Sequence, residues 1–304
     1  MKNIPEKIDA HTHIPSEKLI LKPPFPDAIK IEITSRCNYN CNFCAVKTSK
    51  RPKGDINKEF LYRILHEAKN IGVKEIGMFL LGESMLVKEL AEYIQYAKQE
   101  AGIDYVFLTT NGYLCSIDRL KPLVEAGLDS LKFSINAPTD EQYKIMHGID
   151  GFRKVVANIR HFYEWRQKNN ITSIRTCVSS ICGATEHHDQ QLFREMISKY
   201  VDDFYYLPMY NQAGHVTGQV FGNPGRLDNM VDAVPCWALF NAAKITWDGW
   251  LTACCFDHDE RFEIADLNKT SLLEAWHHPK FIELRKAHLE NNVKKSLCAK
   301  CLGY

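Results

Sequence analysis

The sequence lacks any apolar run approaching the roughly 18 residues that a membrane span needs. Its start, MKNIPEKIDA, lacks the apolar core of a signal peptide. It also lacks a charge of one sign: the formal net charge is +1, so no long-range field draws the chain to nucleic acid or to an anionic membrane. Internal repeats and low-complexity tracts are missing as well. These absences lead to the expectation of a soluble, cytoplasmic protein with no nucleic-acid or membrane partner. Its 304 residues, 45% apolar and 25% charged, suffice for one large α/β domain with a smaller appendage.

Cysteine is what the sequence has in excess, with 11 residues. Without a secretion signal, clustered cysteines favour metal binding or catalysis over a disulfide framework. Seven fall into candidate motifs: Cys37, Cys41 and Cys44; Cys236 and Cys254; Cys298 and Cys301. Cys115, Cys177, Cys182 and Cys255 are left over.

Strand-like runs AIKIEIT, EIGMFLL, YVFLTT, SLKFSI, TSIRTCVSS and DFYYLPM alternate with amphipathic stretches such as KEFLYRILHEAKNIG. This alternation predicts right-handed βαβ crossovers and a parallel sheet, curved into a partial (β/α)6 barrel of TIM type. A doubly wound open sheet is the competing topology. In both, ligands gather at the C-terminal ends of the strands. Residues 1–27, rich in proline, are expected to form an extended lead-in without a core of their own. The barrel is assigned to 28–210, a Gly- and Asn-rich linker to 211–235, and a small α+β domain to 236–304. In that domain AAKITWDGWLTACC predicts a hairpin turning at Asp248-Gly249.

Cys37, Cys41 and Cys44 follow directly after the first predicted strand. Three thiolates hold three irons of a [4Fe–4S] cube, which normally takes four cysteines, so one iron stays open to an outside ligand. The alternatives are a zinc site, which wants further ligands elsewhere, and three plain core thiols. The spacing in TSRCNYNCNFCAV resembles the cluster motif of the radical S-adenosylmethionine superfamily. That resemblance implies that the open iron binds the amino and carboxylate groups of S-adenosylmethionine. It further implies that an electron from the cluster cleaves the sulfonium, and that a 5′-deoxyadenosyl radical takes a hydrogen atom from substrate. A flavodoxin- or ferredoxin-type electron donor is implied too.

More residues carry the same resemblance, which covers roughly 28–210. Phe43 matches the aromatic beside the adenine, and LLGES, with Gly82 and Glu83, resembles the GGE motif that holds the methionine ammonium. Leu81 there replaces the first glycine. Ser134 and Asn136 in KFSINAP stand where family members bind the ribose hydroxyls, and Thr110 and Asn111 end the third strand. Arg175, on the fifth strand, is expected to need an anionic partner such as the cofactor carboxylate.

Cys236, Gly249 and Cys254 fit the C-x(9–15)-G-x4-C opening of SPASM and twitch domains, and Cys298 and Cys301 complete four thiolates for a second [4Fe–4S] cluster. The central cysteine block of a full SPASM domain is missing, so the shorter twitch form is expected. A four-cysteine zinc ribbon is the alternative. Cys255 should point to the opposite strand face from Cys254, as a buried thiol.

The His-x-His of DAHTHIP looks like a metal-dependent amidohydrolase motif. However, His11 and His13 precede every predicted strand, so a solvated or capping role is expected, as for His187, His188, His277 and His278. Trp237, Trp247 and Trp250 are expected in the small-domain core. The leading functional expectation is a radical enzyme that oxidises or rearranges a small polar metabolite such as an amino sugar, aminocyclitol or nucleotide sugar. It rests on resemblance to 2-deoxy-scyllo-inosamine dehydrogenase-type twitch enzymes. A ribosomal-peptide-modifying enzyme is the second reading, although no leader-binding module is recognised before the barrel. If it were an epimerase, Cys177, Cys182 and Cys255 would be the candidate hydrogen donors. An iron–sulfur scaffold or sensor is the third, and Glu83 and Ser134 argue against it. In CFDHD, Asp257 first and Asp259 second are expected to bind substrate or accept its proton.

Overall fold

The computed structural model describes residues 3–181, 187–207, 211–216 and 234–302. Six strands form the barrel wall: β1 (Ala28–Ile31), β2 (Glu75–Gly77), β3 (Tyr105–Thr110), β4 (Ser130–Ser134), β5 (Arg175–Ile181) and β6 (Asp203–Leu207). All pair in parallel in sequence order, and the sheet does not close. The helices between them are α2 (Lys58–Asn70), α3 (Leu90–Gln95), α4 (Ile117–Glu125), α5 (Asp140–His147), α6 (Phe152–Lys168) and α7 (His187–Ile197). Helix α2 shows why they form. The Asn57 side chain accepts from the Phe60 amide, and Phe60, Leu61, Ile64, Leu65 and Ala68 make one buried stripe. The partial barrel expected from the alternation is therefore present.

The lead-in departs from expectation. Ile4–Thr12 is a helix, α1, with a capping box between Asn3 and Glu6 and a proline in its first turn. Those local signals outweigh the prolines that follow. Helix α1 lies against the N-terminal ends of the strands: the Ile4 amide donates to Asp203 Oδ2 at 3.0 Å, and Lys7 and His11 both reach the Glu75 carboxylate, at 2.5 and 3.2 Å. His11 is thus tied into the barrel base rather than solvated. His13 and His278 do cap helices, as expected.

The C-terminal part continues the same sheet. Strand β7 (Ala243–Ile245) pairs in parallel with β1, with Lys30 beside Lys244, and β8 (Trp250–Thr252) and β9 (Glu263–Asp266) follow antiparallel. The predicted hairpin is therefore there, but it is welded to the barrel edge in one nine-stranded sheet. Gly249 has φ +97, and a Cβ there would meet Asn268 Nδ2 at 2.6 Å, so the turn demands glycine. Helices α8 (Leu272–Trp276) and α9 (Pro279–Leu289) cover the extension. Much of the expected linker, residues 217–233, lies outside the described residues.

Asn241 joins the two halves of this arrangement. Its amide nitrogen reaches the carbonyls of Ala10, His11 and His13 at 3.0–3.2 Å, and its oxygen accepts from Lys18 Nζ at 2.7 Å. Asn241→Ala leaves these groups unpaired and should cost about 1–3 kcal/mol. A urea midpoint equal to that of the parent protein would show that α1 is not anchored this way.

Candidate functional site

Beyond β1 the chain leaves the sheet and forms the loop that carries Cys37, Cys41 and Cys44. The loop is fastened by backbone to the end of α5: Asn40 N donates to His147 O at 3.3 Å and Asn42 N to Met146 O at 2.9 Å. His147 is 2% exposed. Its Nε2 accepts from the Asn136 amide at 3.2 Å, which leaves the ring proton on Nδ1, 3.4 Å from Cys41 Sγ. Burial brings its pKa down to about 3, so the ring is neutral. Phe43 stands edge-on to it, with centroids 5.3 Å apart. Burial pushes the Cys37 thiol up to about 11 and raises Cys41 and Cys44 as well. Thiols in such surroundings ionise when a cation arrives to bind them.

The strand ends make a rigid rim around this loop. Gly82 lies so close to the segment following β1 that a Cβ would sit 2.0 Å from Thr34 O. Next to it, Glu83 is 3% exposed and accepts three hydrogen bonds: from Met85 N at 3.0 Å, Thr110 Oγ1 at 2.8 Å and Asn111 N at 2.7 Å. Burial raises its pKa while these donors oppose the rise. Internal donors already hold this carboxylate, which braces the ends of β2 and β3. Asn111 in turn donates to Asn38 Oδ1 at 2.8 Å, inside the cysteine loop. Ser134 and Asn136 do face the cavity, and Asn136 Oδ1 accepts from Ile181 N at 3.1 Å.

The second thiol set opens on the same cavity, of about 430 Å³, whose lining includes Phe43, Ser134, Cys236, Cys254 and Cys301. Cys298 lies within the electrostatic reach of Cys236 and Cys301, and burial pushes Cys298 and Cys301 up to about 12. Among the described residues no three cysteine sulfurs lie within 4.8 Å of one another. A zinc tetrahedron, with Zn–S bonds of about 2.3 Å, would draw its sulfurs to about 3.8 Å apart. Cys255 differs from expectation. Strand β8 ends at Thr252, so alternation stops before Cys254, and Cys255 opens a turn with Phe256. Cys255 therefore lines the cavity too. A hydrogen bond from Cys254, helped by the Lys244 and Lys30 ammoniums, brings it down to about 6.

Residues unmarked in the sequence link the two sets. Gln212 Nε2 donates to Phe43 O and its Oε1 accepts from Ala45 N, both at 2.9 Å, clamping the peptides on either side of Cys44. His258 Nε2 reaches the same Oε1 at 2.9 Å, and Asn211 Nδ2 donates to Lys300 O at 2.9 Å, next to Cys301. In the sequence these amides look like ordinary turn residues of a Gly-rich segment, so no signal marks them.

Other expected residues stand elsewhere. Arg175 does need an anionic partner, but finds it in Asp203 at 2.6 and 2.8 Å, at the N-terminal end of β5, away from the thiols. Asp257 is buried in the hairpin, where Oδ2 accepts from Thr252 Oγ1 at 2.9 Å and Phe262 N at 3.2 Å, so it does not face the cavity. Asp259 pairs with Arg261 at 2.5 Å. Cys177 is fully buried beside Lys132 on the neighbouring strand, its thiol 3.5 Å from Val178 O. Cys182 lies outside the described residues. Trp237, expected in the small-domain core, lines the cavity instead.

Comparison with known proteins agrees with this layout. The family profile of the radical SAM superfamily matches residues 31–190, and that of the SPASM iron–sulfur cluster-binding domain matches 236–302. A probable GTP 3′,8-cyclase of Saccharolobus islandicus (strain M.14.25 / Kamchatka #1) is 32% identical over 132 residues, 43% of this chain and 42% of the relative. The GTP 3′,8-cyclase of Chlorobaculum tepidum is 32% identical over 130 residues, 42% of this chain and 38% of the relative. The match thus spans less than half the length of these relatives. Among solved structures, BtrN in complex with AdoMet and 2-DOIA has a TM-score of 0.62 at 20% identity, covering 91% of this chain and 92% of that one. Streptococcus suis SuiB bound to precursor peptide SuiA has a TM-score of 0.70 at 16% identity, covering 92% and 69%. No helix among the described residues is long and apolar enough to cross a membrane.

Gly82→Ala tests the close approach at the rim. The new methyl must push the end of β2 away from the cysteine loop, an overpacking cost of about 1–3 kcal/mol. Lower iron content after reconstitution should accompany the lower melting temperature. A variant that melts and loads iron like the parent protein would remove Gly82 from the site.

Proposed function

The chain belongs to the radical SAM superfamily and carries an appended SPASM iron–sulfur domain, and from that premise we propose that it oxidises a small polar metabolite by hydrogen abstraction. Cys37, Cys41 and Cys44 hold the first [4Fe–4S] cluster in this reading, and Cys236, Cys254, Cys298 and Cys301 the second. When bound, the first cluster and S-adenosylmethionine supply reductive sulfonium cleavage and a carbon radical that takes hydrogen from a C–H bond.

The observation that carries the reading is one cavity of about 430 Å³, a volume suited to a small molecule, lined by Cys236, Cys254 and Cys301 of the second thiol set and by Phe43, the chain neighbour of Cys44 in the first. A substrate there stands between a hydrogen acceptor and a second redox centre, which suits net oxidation. Ser134, Asn136 and Phe43 line the end nearer the first thiol set and are assigned to the cofactor. Gly82, Glu83, Thr110 and Asn111 act from behind, holding the rim still. The His147 Nδ1–H donates to the Cys41 sulfur, and such donors to a ligand sulfur make a cluster easier to reduce. A flavodoxin- or ferredoxin-type protein is the expected electron source.

Reconstituted protein should carry about eight irons, four in each cube. Replacing Cys37, Cys41 and Cys44 together by Ala should leave about four and abolish cleavage of S-adenosylmethionine by dithionite-reduced protein. Continued cleavage by that variant would sink the proposal. His147→Phe should keep both clusters and lower the reduction midpoint of the first, followed by its electron paramagnetic resonance signal. An unchanged midpoint would place His147 outside the tuning of that cluster.

A further inference from the structure

The concave face of the barrel carries its charges in layers. In the layer nearest α1 every charge has a partner: Glu75 with Lys7 and His11, Arg175 with Asp203. One layer higher the balance breaks. Lys30 of β1 and Lys132 of β4 both line the cavity, each lowered chiefly by burial, and Lys132 adds to the lowering of Lys30. Among the described residues, neither makes an ion pair with a carboxylate. Lys132 Nζ donates to the Tyr205 hydroxyl at 3.1 Å, and Lys30 Nζ lies 5.4 and 5.7 Å from the ring centres of Phe79 and Trp237. Those contacts support a cation without neutralising it, and the groups of opposite sign near the two lysines are thiols, Cys255 by Lys30 and Cys177 by Lys132, rather than carboxylates.

Resting on the reading above, we propose that the substrate presents an anionic group, a phosphate or a carboxylate, to Lys30 and Lys132. Two ammoniums in a partly desolvated cavity raise each other's cost of charging, and an anion between them removes that cost. Burial has already brought Lys132 down to about 8, as expected for a cation awaiting its partner. The same pair disfavours a substrate whose own amine is protonated, because a third positive charge would enter the same cavity. Within the wider class of polar metabolites, the charge pattern therefore selects phosphorylated or acidic sugars over free amino sugars and aminocyclitols.

Calorimetric titration of the reconstituted holoenzyme with three probes of similar size tests this: glucose 1-phosphate, glucuronate and glucosamine. At least one of the anions should bind about ten- to a hundredfold more tightly than glucosamine. The arms also separate the two anionic groups, since a phosphate-binding site prefers glucose 1-phosphate and a carboxylate-binding site glucuronate. Lys30→Met and Lys132→Met should each weaken the preferred anion about tenfold, Lys132→Arg should retain it, and all three should keep full iron content and S-adenosylmethionine affinity. If a methionine variant loads iron poorly, the Lys132→Arg and Lys132→Gln pair provides the same comparison. Glucosamine binding as tightly as either anion, anion affinity unchanged in the methionine variants, or no binding of any probe would overturn the proposal. Substrate-free cleavage of S-adenosylmethionine reports separately on the radical-enzyme reading, so the two can fail independently.

Discussion

A single side-chain amide, Gln212, bonds to the peptide groups on both sides of Cys44 and also meets His258 from the C-terminal part of the chain. A loop of three thiols has little hydrophobic reason to hold one shape, and an unpaired peptide group in a half-buried loop is costly. Gln212 meets both needs with one group. Because His258 shares its oxygen, the shape of the first cysteine loop depends on the second domain being in place. The two candidate cluster sites are thus parts of one polar network rather than neighbours by accident of packing.

The rest of the rim follows the same logic. Glu83, Asn111 and Asn38 form a chain of hydrogen bonds across the ends of β2 and β3 and into the cysteine loop. His147 uses one ring nitrogen to satisfy the Asn136 amide and the other to reach Cys41. Buried polar groups of this kind are costly unless fully paired, and when paired they fix a unique geometry. The shapes of the thiol loop and of the rim are then set before anything binds, which suits chemistry in which a stray radical would attack the protein itself.

Much of this was legible in the sequence, and the reasons for the rest are specific. The alternation of strands and helices announced the barrel, because periodicity reports burial directly. Asp248-Gly249 announced the hairpin, because few residue pairs accept that turn. Periodicity is silent about which strands meet, so the pairing of β7 with β1 was not readable. The helix at 4–12 was obscured by the prolines after it, although Asn3 and Glu6 carried its capping signal. Arg175 and Asp257 were misplaced for one common reason. A charge in a barrel or a loop announces that it needs a partner, but not whether that partner is Asp203, Thr252 or a ligand. Gln212 left no trace, since an amide in a Gly-rich stretch has no pattern to betray it.

The pairing of β1 with β7 bears on how the protein comes to be made. More than 200 residues separate Ile31 from Ala243, yet the two strands are hydrogen-bonded neighbours. During synthesis, the barrel's first strand emerges early and keeps one bare edge until the C-terminal part leaves the ribosome. A strand with a bare edge and apolar neighbours is a template for pairing with another chain. Contacts of such long sequence separation also form late and slowly. The nascent chain is therefore most exposed to aggregation while its first cysteine loop is already available, and the arrival of the hairpin ends that exposure and completes the shelter around both thiol sets.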